Sequence, residues 1–176
     1  MKKFNIYILV LIFLTISNFS YGNNIVYANL DNIIKTSDVG KKIITYFDDK
    51  NKKILEEIKV KEQQIREKEK SLISQKNILE PDEFEKKVDS FKEEIKKFNQ
   101  ARQSKTRQIN LEKDQVSKSF LNEINKILKE FAEKNNIDII ISSNQMLIGK
   151  SDLDVTNKLL IMVNEKIKNF DIKKWQ

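Results

Sequence analysis

The stretch Gln75-Lys76-Asn77-Ile78-Leu79-Glu80-Pro81-Asp82-Glu83-Phe84 carries the single proline of a 176-residue chain, and its reading decides the fold. Proline lacks a backbone donor and disfavours helix in the residue before it, while Asp82 is a candidate cap for the helix downstream. Upstream, Ile44, Phe47, Ile54, Ile58, Ile65, Leu72 and Leu79 fall on the two inward positions of a heptad grid. Downstream, Phe84, Val88, Phe91, Ile95 and Phe98 answer; the stripe runs on through Ile109 and Val116, then shifts by one residue to Phe120, Ile124, Ile127 and Phe131. Two amphipathic runs meeting at one break predict an antiparallel helical hairpin over residues 38–134. Each arm of about 42 residues reaches on the order of 60 Å at 1.5 Å per residue. The inward positions Lys61, Lys68, Gln75, Arg102 and Lys105 are polar, as are Asn51 and Glu112. Either they weaken the seam of the outer arm, making a compliant wall, or their long stems snorkel outward without consequence.

Outward from the hairpin, the chain begins with the basic Met1-Lys2-Lys3, an apolar run from Ile6 to Ile16, and Ser20-Tyr21-Gly22. This is the pattern of a secretory signal peptide over residues 1–22, cleaved near Gly22. The run falls short of the roughly 20 residues that span a bilayer, so an anchor is the weaker alternative, and no Cys follows to carry a lipid. The expected compartment in a Gram-negative cell is the periplasm. Ile25-Val26-Tyr27-Ala28-Asn29-Leu30 reads as a strand with Ile25, Tyr27 and Asn29 on one face. Asp31 is a candidate cap for a short helical turn, Ser37 or Asp38 for the long arm, and Gly40 allows a close approach.

Beyond the arm, Asn135-Asn136 ends the helix, since Asn tolerates the left-handed conformation. Ile137 to Ser142 is the clearest strand; Ser143-Asn144 is a turn, and Gln145-Met146-Leu147-Ile148 a second strand paired with it as a hairpin. Ser151-Asp152 or Asp154 caps a final helix with Val155, Leu159, Leu160, Val163 and Ile167 on one face, and Asp171 to Gln176 fray. The fold class is α+β and mostly helical, with residues 23–37 and 135–176 forming a small β body. Three strands and one helix bury little, and their edges invite pairing with other copies. The candidate oligomer interface is Ile25, Tyr27, Ile139, Ile140, Ile141 and Leu147.

Composition narrows the chemistry. Charged residues make up 34% of the chain and hydrophobic ones 39%, with 3 Gly and 1 Pro, which suits long exposed helices. There is no Cys and no His, which removes thiol nucleophiles, disulfides, the usual zinc sites and imidazole acid/base catalysis, and argues against an enzyme. Carboxylate pairs such as Glu56-Glu57 and Glu93-Glu94 are adjacent on a helix and diverge in direction. The net charge is +7, or +5 once Lys2 and Lys3 are removed, which favours anionic partners without specifying one. Arg102-Gln103-Ser104-Lys105-Thr106-Arg107 is a phosphate-binding candidate, but export removes nucleic acid as a physiological partner and no base-reading motif accompanies the charges.

In this arrangement the chain resembles the Skp/OmpH-like family of periplasmic chaperones. The resemblance rests on Ile25-Val26-Tyr27-Ala28-Asn29-Leu30-Asp31, on Gly40-Lys41 opening the arm, on Asn136-Ile137-Asp138-Ile139-Ile140-Ile141, and on Ser151-Asp152-Leu153-Asp154-Val155-Thr156. It implies a homotrimer whose strands share a β-barrel, with three hairpins around a cavity that holds unfolded outer-membrane proteins without cofactor or nucleotide. Candidate client-binding residues on the arm are Lys59, Lys61, Leu72, Phe84, Phe91, Phe98, Arg102 and Lys105, although Phe at heptad spacing more often packs the partner helix. One departure is the tip, where Lys76, Lys86 and Lys87 face Glu80, Asp82, Glu83 and Glu85. A mixed tip implies at most weak contact with an anionic membrane surface. The competing function is an envelope spacer or adaptor that docks one fixed partner; a cytosolic prefoldin-like hairpin chaperone is set aside by the signal peptide.

Overall fold

The computed structural model describes residues 24–175, with the side chain of Trp175 excepted, so the expected signal peptide lies outside the described residues. Strand β1 (Ile25–Ala28) leads through helix α1 (Leu30–Thr36) into the two long helices α2 (Asp38–Gln75) and α3 (Pro81–Lys134). Strand β2 (Ile139–Ser142), 3-10 turns at Ser143–Gln145 and Ser151–Leu153, helix α4 (Thr156–Lys166) and a last 3-10 turn at Ile172–Trp175 complete the order.

Local chemistry sets most of the boundaries. Asn29, not Asp31, caps α1 by accepting from the Asn32 amide at 2.9 Å. Ser37 caps α2, its Oγ accepting from the Gly40 amide at 3.2 Å. Gly40 is required there, because a Cβ would lie 1.7 Å from the Ile34 carbonyl oxygen where α1 and α2 cross. Pro81 occupies the first turn of α3, where its missing N–H costs nothing. Asp82 sits inside that turn and does not cap it: the cap position is Glu80, which makes no side-chain bond. Asp82 and Glu83 instead complement the helix dipole. Asn136 adopts φ 50° at the end of α3, the expected left-handed stop.

The sheet differs from expectation in partner and direction. β2 does not form a hairpin with Gln145–Ile148, which contains no strand; it pairs in parallel with β1, Ile25 opposite Ile139 and Ala28 opposite Ser142. Parallel strands need a long crossover, and here the whole helical arm is that crossover. Asn24 and Asp138 clamp the start of the pair, with the Asn24 amide donating to the Asp138 carboxylate at 2.8 Å and the Asp138 amide to the Asn24 carbonyl at 3.0 Å. On its other side β1 makes a single bridge to Asp154, closed by the Val155 amide donating to the Tyr27 carbonyl at 2.9 Å. Among the described residues the sheet therefore has two strands, not three, and the open edge belongs to β2.

The core fills the angle between this sheet and the helices. Val26 and Ala28 from β1, Ile33 from α1, Val39, Ile43 and Phe47 from α2, Ile109 to Phe131 at heptad spacing from α3, and Val155, Leu159, Val163 and Ile167 from α4 are all buried. Ile44, expected inward, is 44% exposed, and Ile43 takes its place. The crossing at Gly40 sets the phase of this first part of α2 by putting Val39, Ile43 and Phe47 toward the core. Near the C-terminus, Phe170 and Ile172 pack on the core, with the Phe170 ring edge-on to Phe120 at 5.6 Å.

Candidate functional site

At 1.5 Å per residue, α2 runs about 57 Å and α3 about 81 Å, so most of α2 and the facing half of α3 stand clear of the core. Side-chain burial divides this arm into zones. In the lowest, Phe47, Ile109 and Val116 are buried. Glu112 closes it: 5% exposed, its carboxylate accepts from the Tyr46 hydroxyl at 3.0 Å and from the Lys50 ammonium. Burial works against the charge on Lys50, but the hydrogen bonds to Glu112 and Tyr46 outweigh it and hold the pKa above the ordinary lysine value. In the sequence Glu112 reads as a polar gap in the stripe. The i, i+4 spacing of Tyr46 and Lys50 was the available signal.

Tipward of Ile109, about one turn past this lock, no residue of α2 or α3 is buried; the seam is held by half-buried apolar side chains and by ion pairs. Lys61 and Lys68, read as weakening or snorkelling, converge on Glu94 at 2.9 and 2.7 Å. Their hydrogen bonds lower the Glu94 pKa below the usual carboxylate range, the Lys68 bond most. Lys105 pairs with Glu57, and Arg102 lies 3.6 Å from Glu62 and 5.9 Å from the centre of the Phe98 ring. Lys61, Arg102 and Lys105 are thus cross-arm partners as well as surface cations. Lys59 is exposed and makes no ion pair among the described residues. Leu72, Phe84, Phe91 and Phe98 are half-buried in the seam, and the Lys87 ammonium donates to Gln75 at 2.8 Å near the tip.

Two open clefts flank this middle zone. One, of about 1060 Å³, is lined by Leu55, Ile58 and Lys59 on α2 and by Arg102, Arg107 and Leu111 among others on α3. The second, of about 540 Å³, shares Ile58 and Arg102 and includes Phe98. Sequence reading did not single out Leu55 or Leu111, which lie off the heptad grid.

The residues expected at an oligomer interface separate by strand face. Ile25 and Ile139 stand opposite one another and are 37% and 47% exposed; Tyr27 and Ile141 share their side and are half-buried. Ile140 pairs with the buried Val26 and packs on the core. Leu147 is fully exposed, and Ile148 nearly so, on a loop whose Gly149 rests on the Tyr27 ring.

A small α/β base whose crossover is drawn out into a two-helix arm is the architecture these elements define. The chain belongs to the OmpH-like outer membrane protein family, whose model matches residues 24–162. Among solved structures it is similar to a candidate OmpH-like outer membrane chaperone from Caulobacter crescentus CB15, with a TM-score of 0.78 at 11% identity over 88% of this chain and 92% of that one. No curated protein matches the sequence.

Proposed function

We propose that this protein is an ATP-independent holdase of the periplasm that keeps unfolded outer-membrane proteins soluble between its arms. Family membership supports a chaperone role, and so does the name carried by the Caulobacter crescentus neighbour. The observation that carries the reading is the change of packing along the arm: buried as far as Ile109, then half-buried and ion-paired, with Leu55, Val60, Ile73, Ile78 and Leu111 between 54% and 78% exposed. Such a surface offers many weak apolar and charged contacts, which suits a client that must stay unfolded.

The arms act as a cavity only when several copies assemble. We place assembly at the open edge of β2 and the exposed face formed by Ile25, Ile139 and Leu147, in a homotrimer. An unpaired edge carrying exposed β-branched residues is a template for pairing with another chain.

Deletion of Val60 to Ile95, rejoined by a short Gly-containing turn, is the test. It removes the outer arm and leaves the buried residues of α2 and α3 in place. The shortened protein should remain folded and assembled yet fail to suppress aggregation of an unfolded outer-membrane protein, followed by light scattering at equal concentration. Equal suppression by both forms would move the reading to a spacer or adaptor, which the ion pairs across the arm, by stiffening it, would also suit.

A further inference from the structure

Just beyond the Glu112 lock the seam opens on one flank because its two walls do not match. Helix α2 presents Leu55 and Ile58, while the facing turns of α3 present Gln103, Thr106 and Asn110, which cannot cover them. Leu55 and Leu111 stay 65% and 54% exposed over a cleft of about 1060 Å³. That volume is slightly above the ~300–1,000 Å³ typical of ligand sites, room for several side chains.

The charges on the walls are not balanced internally. Glu62 lies 3.6 Å from Arg102 and 3.8 Å from Arg66, and Asp114 is held by Lys118 at 2.7 Å. Lys59 and Arg107 have no ion-pair partner among the described residues. An apolar floor bordered by two uncompensated cations is complementary to an apolar group with a carboxylate beside it.

We infer that this cleft is a subsite for an extended polypeptide segment, seating an apolar side chain between Leu55 and Leu111 and a neighbouring carboxylate near Lys59 or Arg107. The inference rests on the proposed holdase reading, since an unfolded client is what supplies such segments. Binding there is weak and rapidly reversible, because the cleft is open along its length and the peptide keeps much of its freedom.

Fluorescence polarisation with the full mature chain tests it, using two dye-labelled synthetic peptides that share a Leu-Phe core and carry either Asp or Lys beside it. The wild type should bind the acidic peptide several-fold tighter than the basic one, the preference shrinking as salt is raised. Leu55→Gln with Leu111→Gln should weaken both peptides by about tenfold. Lys59→Gln with Arg107→Gln should abolish the preference while leaving most of the apolar affinity. All four positions lie off the buried core, so circular dichroism and sedimentation should match the wild type and show that a loss is not unfolding. Unchanged binding in the leucine variant overturns the inference, as does a lysine-arginine variant whose only defect is lost adsorption to anionic phosphatidylglycerol vesicles. The parent reading fails separately. If the wild type binds the acidic peptide but does not suppress aggregation of an unfolded outer-membrane protein, the subsite stands and the holdase reading falls. If wild type and leucine variant suppress aggregation equally and bind the peptides equally, the reverse holds.

Discussion

Lys50 and Glu112 are unequal partners, and the inequality predicts different costs for breaking their pair from either side. The Glu112 side chain is 5% exposed and that of Lys50 is 34% exposed. Glu112→Leu leaves an ammonium that can swing to solvent while its stem stays on the seam, so the cost should be about 1 kcal/mol. Lys50→Met leaves a carboxylate that cannot leave, with the Tyr46 hydroxyl as its remaining hydrogen bond at 3.0 Å. Breaking a buried pair in that way costs about 3–5 kcal/mol. Removing both charges with Lys50→Met and Glu112→Leu replaces the pair by apolar groups of similar volume, and should return stability to within about 1 kcal/mol of the wild type. Urea unfolding followed by far-UV circular dichroism measures all four proteins at one chain concentration, since any self-association would shift apparent stability. Equal costs for the two single variants, or a double variant no more stable than Lys50→Met, would refute the claim that Glu112 is held in place while Lys50 is free to leave.

Other tests address separate elements. Glu130 joins α3 to α4 through Lys166 at 2.5 Å and also meets Lys134 at 2.8 Å, and those hydrogen bonds, the Lys134 one first, lower its pKa to about 2 from 4.5. A folded pKa below the unfolded value means the contribution is present above about pH 4.5 and lost as pH falls toward 2, so acid titration of Glu130→Gln against wild type should show a stability difference that closes across that window. Gly40→Ala places a methyl against the Ile34 carbonyl and should cost about 3 kcal/mol or more, read as a lowered Tm. Ile139→Asp should yield monomers by sedimentation with the protomer fold intact, whereas Ile140→Asp should unfold the protomer because that side chain packs on the core.

The arm was legible because its signal is repeated: a heptad pattern sustained over many turns outweighs any single deviation, so Lys61 or Arg102 on the grid did not hide it. Strand pairing was not. Ile137 to Ser142 and Gln145 to Ile148 are adjacent and apolar, and adjacency argued for a hairpin, whereas the true partner, β1, begins 114 residues earlier at Ile25. Leu147 and Ile148 mislead for a related reason, since nothing among the described residues covers them and their hydrophobicity reads as a strand. A 3.5-residue grid extended back to the start of α2 selects Ile44 over Ile43, because the rotation of that start is decided by the Gly40 crossing. The ion pairs on Glu94 join residues 33 and 26 positions apart across the hairpin, and no local rule relates them.

The parallel pairing of β1 with β2 also has a kinetic consequence. Until β2 is made, β1 has no sheet to join, and a flexible chain of roughly 110 residues closing that gap would lose about 4 kcal/mol of entropy. A hairpin removes most of that loss, because its own contacts are laid down in sequence from the Pro81 bend and each added turn brings the two ends nearer. Sheet formation in the base is then the last event, and its rate should depend on how quickly the helices zip downward from the tip. A chain nicked between Asn77 and Ile78 would lose that advantage: it should refold its base slowly and in a concentration-dependent way, although every buried contact of the base survives the cut.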